Sequence, residues 1–200
     1  MRHPLDLAPL YRLWQLPFVA QKVAAFRRQV VLGPTTRVLD IGCGPGTNGS
    51  LFAGTRYLGI DRDAGYIRSA RQRGLQVMVG DAAALPLRPV QSFDCVLVNS
   101  LLHHLDDAQV RALLLRAASL VGARGQLHVI DLVVPAQRGI ARSLALADRG
   151  DHPRTVPHLR SLLAQQFALD VEEPFRLTLA GLPLWAMIYF RGKAKEGGCE

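Results

Sequence analysis

The sequence is short of cysteine, lysine and aromatic residues, and each shortage closes off a class of protein. Cys43, Cys95 and Cys199 are its three cysteines in 200 residues. They are widely spaced and make no Cys-x-x-Cys, which argues against a disulfide framework and a zinc site and fits a reducing cytoplasm. No apolar run reaches the length of a membrane span. Met1–Asp6 has no apolar h-region of a secretory leader. A cytoplasmic protein with no membrane partner is therefore expected. Lysine occurs only at Lys22, Lys193 and Lys195, so arginine supplies nearly all of the net charge of +8. The arginines are scattered, with no Lys/Arg-rich run and no interleaved aromatics of the base-stacking kind. Solvated helix faces explain that charge better than nucleic acid does. No cluster of acids falls near the fourth predicted strand, and metal independence is expected.

What is present is a glycine loop. Val38–Ile41 is an apolar strand that runs into a turn holding Gly42, Gly44 and Gly46, with a short helix expected over 47–53. Glycines there let a ligand lie against main chain. Asp40, just before the loop, would repel a phosphate and attract a cationic or hydroxyl-bearing ligand. The loop thus suits a nucleoside with a positively charged tail. Around it, strands expected at 36–41, 57–60, 76–79, 93–98 and 126–134 alternate with helices at 64–73 and 106–121. The first four strands are continuous apolar runs, the mark of parallel strands buried on both faces, and the alternation predicts a doubly wound α/β sheet. An amphipathic helix over 9–32, with Pro17 as a kink or break, precedes it. Helices at 140–146 and 156–166 and a strand pair at 167–175 and 183–191 follow.

Three strand tips carry candidate ligand contacts. Asp61 lies about twenty residues beyond the glycine loop, where an acid accepts the hydroxyls of a ribose; Asp63 serves better as the cap of the next helix. Gly80-Asp81-Ala82 ends the third strand, where a carboxylate can accept an exocyclic amine of adenine or make a plain Asx-turn. Asn99 and Ser100 end the fourth strand and face the ligand crevice, with Asp94 at its opposite end.

In this order, VLDIGCGPGTNG, GIDRD, GDAAALPL and FDCVLVNSLLHHL resemble four motifs of class I S-adenosylmethionine-dependent methyltransferases, and RGQLHVIDLVVP is a weaker fifth. The resemblance spans residues 35–135. It implies a Rossmann-like seven-stranded sheet whose last strand is antiparallel, with S-adenosylmethionine as cofactor. It places the Gly42–Gly46 loop, with Cys43 and Asn48, at the methionine and ribose, Asp61 at the ribose and Arg62 against the adenine. Asp81 and Ala82, with Gly80, would hold the adenine edge, and Asn99, with Ser100, the methionine ammonium. Asp40 agrees with a sulfonium and an ammonium.

The activated sulfonium needs an acceptor held in line and water kept out, and a base only where the acceptor arrives protonated. His104, ahead of His103, is the candidate base; packing in the turn is the alternative. Phosphoethanolamine methyltransferases pair a histidine matching His104 with a tyrosine of an N-terminal lid, for which Tyr11 is the candidate, catalytic and cofactor-facing as His104 is. Lys22 could reach the cofactor carboxylate or simply be solvated. The Asp148–Arg154 stretch fits either a substrate-recognition loop or an ordinary connection. The expected organisation is a helical lid segment over 1–33, the methyltransferase domain over 34–193 and a loose tail over 194–200.

A small-molecule acceptor and a monomer or homodimer are expected. The alternatives are an RNA methyltransferase, a cofactor-binding protein without transferase activity, and a nicotinamide dehydrogenase. Against the first, Asn99-Ser100-Leu101-Leu102 stands where base-amine enzymes carry Asn/Asp-Pro-Pro-aromatic. Against the last, Asp40 and Asp81 have no role beside a pyrophosphate.

Overall fold

Val38 and Leu39 are neighbours in sequence and both fully buried, which requires a layer on each face of their strand. The computed structural model describes the backbone of residues 8–84, 87, 92–148 and 150–195, and their side chains from Phe18 onward. The strands are β1 (Arg37–Ile41), β2 (Arg56–Asp61), β3 (Val77–Val79), β4 (Phe93–Asn99), β5 (Val121–Leu132), β6 (Phe167–Leu179) and β7 (Leu182–Ala194). The helices are α1 (Ala8–Gln29), α2 (Ala64–Gln72), α3 (Asp107–Leu120), α4 (Ile140–Leu146) and α5 (Val156–Leu163). One seven-stranded sheet has the order β3-β2-β1-β4-β5-β7-β6. β1 to β5 pair in parallel, and β7 runs antiparallel between β5 and β6. The fold is the Rossmann-like one that the alternation and the resemblance predict.

One face packs Leu39, Ile41, Val96 and Val98 against Val110, Leu113 and Leu114 of α3 and Leu159, Leu162 and Leu163 of α5. The other packs Val38, Cys95 and Leu97 with Phe18, Ala25 and Phe26 of α1 and Ile67 and Ala70 of α2. The described part of α1 is thus a core helix, with Phe26 edge-on to His128 at 5.0 Å. It runs through Pro17 without a break, and the lid expected of residues 1–33 falls, for its first 17 side chains, outside the described residues. The same holds for Tyr11 and for the tail beyond Lys195. Asp106 and Gln109 close a reciprocal capping box at the start of α3. Among the described residues no helix is long and apolar enough to cross a membrane.

Three expectations need correction. The helix expected after the glycine loop is a single 3-10 turn, Gly49–Phe52; the glycine-rich lead-in has little helix propensity to extend it. β5 begins at Val121, directly after α3, with an irregular register against Phe93 and Cys95. The final strands are longer than expected and meet at Ala180-Gly181, both with positive φ (48° and 79°), the two-residue turn that matches strand twist.

Candidate active site

The chain order reverses beside β1, whose neighbours are β2 and β4, and ligands of open α/β sheets bind at the carboxyl ends of strands at such a point. The glycine loop leaves β1 there. Gly42, Gly44 and Gly46 have φ of 76°, 55° and 72°, the left-handed region where a Cβ is penalised. The amides of Gly42 and Cys43 both donate to Ile60 O (2.8 and 3.0 Å), and Gly44 donates to Asp61 Oδ2 at 2.8 Å. Beneath the loop, Arg73 donates to the carbonyls of Pro45 and Gly46 (3.2 and 2.5 Å). A Cβ on Gly46 would lie 2.3 Å from Leu75 Cδ1 and 3.2 Å from Ala70 Cβ. Gly46→Ala is therefore expected to cost about 1–3 kcal/mol, from backbone strain and the displaced Leu75. Thermal unfolding should register it as a lower Tm.

A pocket of about 400 Å3, open to solvent, lies over this loop. Val19 and Lys22 of α1, Gly42–Pro45, Thr47, Asn48, Asn99 and Ser100 line it. Of the residues singled out in the sequence, the structure brings Gly42, Cys43, Gly44, Asn48, Asn99 and Ser100 together here. Gly44 has open space where a Cβ would be, and the buried Thr47 hydroxyl has no hydrogen-bond partner. Ser100 has positive φ (54°).

The others are placed around it. Asp61 sits at the tip of β2, accepting from the amides of Gly44 and Asp63. Burial outweighs these donors and raises its pKa. Its carboxylate oxygens keep lone pairs for further donors. Arg62 is exposed beside it. Gly80 donates to Asp61 O at 3.0 Å, and Asp81 makes the Asx-turn, accepting from Ala83 N at 2.9 Å before Ala82–Ala84 turns. Asp63 caps α2, and Asp94 accepts from Arg37 N at 2.8 Å, far from the crevice.

Asp40 differs from its sequence reading. It is not an open carboxylate: it is 1% exposed and accepts from the Tyr57 hydroxyl at 3.0 Å. Burial pushes its pKa up to about 7, against the help of Tyr57, and Asp61 adds to the rise.

The two histidines are also separated by the fold. His103 is 7% exposed, with Nδ1 2.5 Å from Asp131 Oδ1 and Nε2 3.4 Å from Asp148 Oδ1. Burial opposes its charge, but the two carboxylates raise its pKa overall. Asp131 also accepts from Leu102 N and Leu132 N, and its pKa is lowered although burial pushes the other way. His103 is thus tied into a buried ionic array. His104 is half-buried, its ring centroid 4.1 Å from that of His103.

Sequence reasoning missed Asp131 and Thr47, and singled out Asp148 only as the start of the 148–154 stretch, without its contact to His103. Asp131 had a signal: it is the one acid in the apolar run 126–134, and an acid so placed is buried only with partners. Lys22 was visible, but not that its helix turns it into the pocket.

Comparison with known proteins agrees with this fold. The family model described as a methyltransferase domain matches residues 38–125. A probable tRNA methyltransferase 9B of Bos taurus is 37% identical over 98 residues, 48% of this chain and 21% of that protein. A trans-aconitate 2-methyltransferase of Paracidovorax citrulli is 35% identical over 78 residues, 36% of this chain and 30% of that protein. The chain therefore spans less than a third of the length of these two relatives. The S-adenosylmethionine dependent methyltransferase of Mesorhizobium loti superposes with a TM-score of 0.69 at 22% identity, covering 88% of this chain and 99% of that one.

Proposed function

We propose that the chain belongs to the class I S-adenosylmethionine-dependent methyltransferase family, whose methyltransferase-domain model it matches over residues 38–125, and that it transfers a methyl group from S-adenosylmethionine to a small-molecule acceptor. The observation that carries this reading is the pocket at the β1/β4 switch point, where bare glycine backbone, an unpartnered Thr47 hydroxyl and the Asn99-Ser100 tip meet. Those groups fit the cofactor. Gly44 leaves room for close approach, Asp61 has acceptor capacity for ribose hydroxyls, and Asn99 has it for an ammonium. Gly80, Asp81, Ala82 and Arg62 border the adenine side, at the tips of β2 and β3. The bound cofactor supplies an electrophilic methyl on a positively charged sulfur. The protein has to orient the acceptor, exclude water and dispose of any proton that the acceptor gives up.

Calorimetry tests the cofactor. Saturable heats with S-adenosylmethionine and S-adenosylhomocysteine, and none with NAD, are expected; NAD binding with no response to the other two would sink the reading. Transfer of a tritiated methyl group then separates an enzyme from a cofactor-binding protein without transferase activity.

A second reading, methylation of tRNA, draws on the bovine relative and on the net charge of +8. Label appearing in a tRNA fraction, with a rate that falls steeply as salt rises, would favour it over the small-molecule acceptor.

A further inference from the structure

Lys22 reaches the pocket from α1 and donates to Ser100 Oγ at 3.2 Å. Ser100 Oγ in turn donates to Asn99 Oδ1 at 3.1 Å. Ser100 holds this bridging place with a left-handed backbone, its amide fixed on Ile130 O at 2.7 Å. A residue with a Cβ pays for that conformation, and such strain gathers at functional sites. Both ring nitrogens of His103 face carboxylates, Asp131 from β5 and Asp148 from the segment after α4. That leaves His103 with no nitrogen turned to the pocket, whereas the amine of Lys22 is in its wall.

We propose that Lys22 takes the proton that the acceptor loses on methylation, and that the site therefore serves acceptors that arrive protonated at the attacking oxygen, nitrogen or sulfur. The inference rests on the methyltransferase reading above. In the step, the acceptor's X–H bond breaks and its proton passes to the neutral Nζ, which becomes an ammonium. The X–C bond forms as the S–C bond of the sulfonium breaks, and that electron pair stays on sulfur as a thioether. The ammonium later gives its proton to solvent.

Three groups set the charge of Lys22 besides its burial. Burial lowers its pKa to about 8, and Asp131 and Asp148 pull the other way. The third is His103, which lies between those carboxylates and whose own pKa the Lys22 charge lowers. Ser100, just past β4, meets Lys22 as a neutral polar group and is itself bonded to Asn99 at the end of that strand. An amine so placed gives up its proton near neutral pH, as catalytic lysines do. A sulfonium in the same pocket repels an ammonium there, so the loaded cofactor favours the neutral base. Once the methyl has moved, the sulfur is neutral and the ammonium is tolerated.

The chain's three lysines make this measurable. The full-length protein labelled with 13C at lysine Cε should give three titrating signals. Lys22→Arg assigns the one in question; if that variant does not fold, replacing Lys193 and Lys195 by Arg leaves Lys22 alone to observe. Lys193 and Lys195 are exposed, near the end of the described chain. With S-adenosylmethionine bound, the proton affinity of Lys22 should be at least about tenfold lower than with S-adenosylhomocysteine, one pH unit in its midpoint. Equal midpoints with both ligands, or a midpoint raised by both, would overturn the proposal; the latter would make Lys22 a partner of the carboxylate that both share. If neither ligand binds, the methyltransferase reading fails and takes this inference with it. Binding without the difference defeats this inference alone.

Discussion

Arg154→Met should lower the stability of the fold by about 2–4 kcal/mol, the cost of leaving buried carbonyls short of donors and of losing the ion pair with the partly exposed Asp107. Arg154 is 5% exposed. Its guanidinium donates to Asp107 Oδ1 (2.8 Å), to the carbonyls of Leu102 and Leu105 (2.7 Å each) and to His152 O (3.2 Å). Methionine fills much of the volume but offers no donor. The Leu105 carbonyl would then lie buried without a donor, at about 1–3 kcal/mol before relaxation, while Leu102 O would keep only the amide of Leu105 at 3.1 Å. With a urea m value of about 2 kcal/mol/M, the midpoint should fall by roughly 1–2 M. Arg154→Lys should recover little of this, because one ammonium cannot reproduce the planar fork.

The same residue ties stability to the site. Leu102 and Leu105 flank His103-His104, and Arg154 holds them against the segment that carries Asp148 and His152. His152 N donates to His103 O at 3.0 Å, and a Cβ on Gly150 would lie 2.3 Å from the His103 ring. Loosening Arg154 therefore loosens the histidine turn that follows the Asn99-Ser100 wall of the pocket. Binding of S-adenosylhomocysteine should suffer less than methyl transfer, since the glycine loop hangs from β1, β2 and α2 instead.

These examples mark how far the sequence could be read. The sheet was legible because parallel strands buried on both faces are largely continuous apolar runs, and because turns and caps such as Asp63 and Asp106 punctuate the helices. The glycine loop was legible because its backbone needs glycine. What stayed hidden was long-range pairing. Nothing local distinguishes Arg154 from the other arginines of a chain that carries its charge mostly on arginine; its burial comes from β5, α3 and the histidine turn converging on it. The same is true of Lys22 and Ser100, which lie 78 residues apart. The sequence put His104 ahead of His103 as a base but could not see their surroundings, and only the fold turns His103 between Asp131 and Asp148.

Asp40→Asn should abolish a loss of stability that is expected of the natural protein between about pH 4 and pH 7. Asp40 is 1% exposed, is hydrogen-bonded to the neutral Tyr57 hydroxyl, and has a pKa pushed up to about 7, chiefly by burial. In the unfolded chain a carboxyl of this kind titrates near 3.9. Across the window between these values the folded state binds the extra proton, so stability falls as pH rises and levels off above about 7. A shift of about three units corresponds to roughly 4 kcal/mol. Asparagine has no such proton to lose. It can still accept from Tyr57, but its amide brings donors that need partners, at a pH-independent cost of about 1–3 kcal/mol. Denaturation at pH 4 should therefore find the variant equal or weaker, and at pH 8 it should find the variant gaining on the natural protein by most of that 4 kcal/mol. Parallel pH profiles for the two proteins would contradict this. A carboxylate kept at such a cost beneath the glycine loop makes physical sense if its charge is used there. A cationic ligand in the pocket favours the ionised form, so the variant should lose affinity for S-adenosylmethionine while that for S-adenosylhomocysteine, which lacks the sulfonium, changes less.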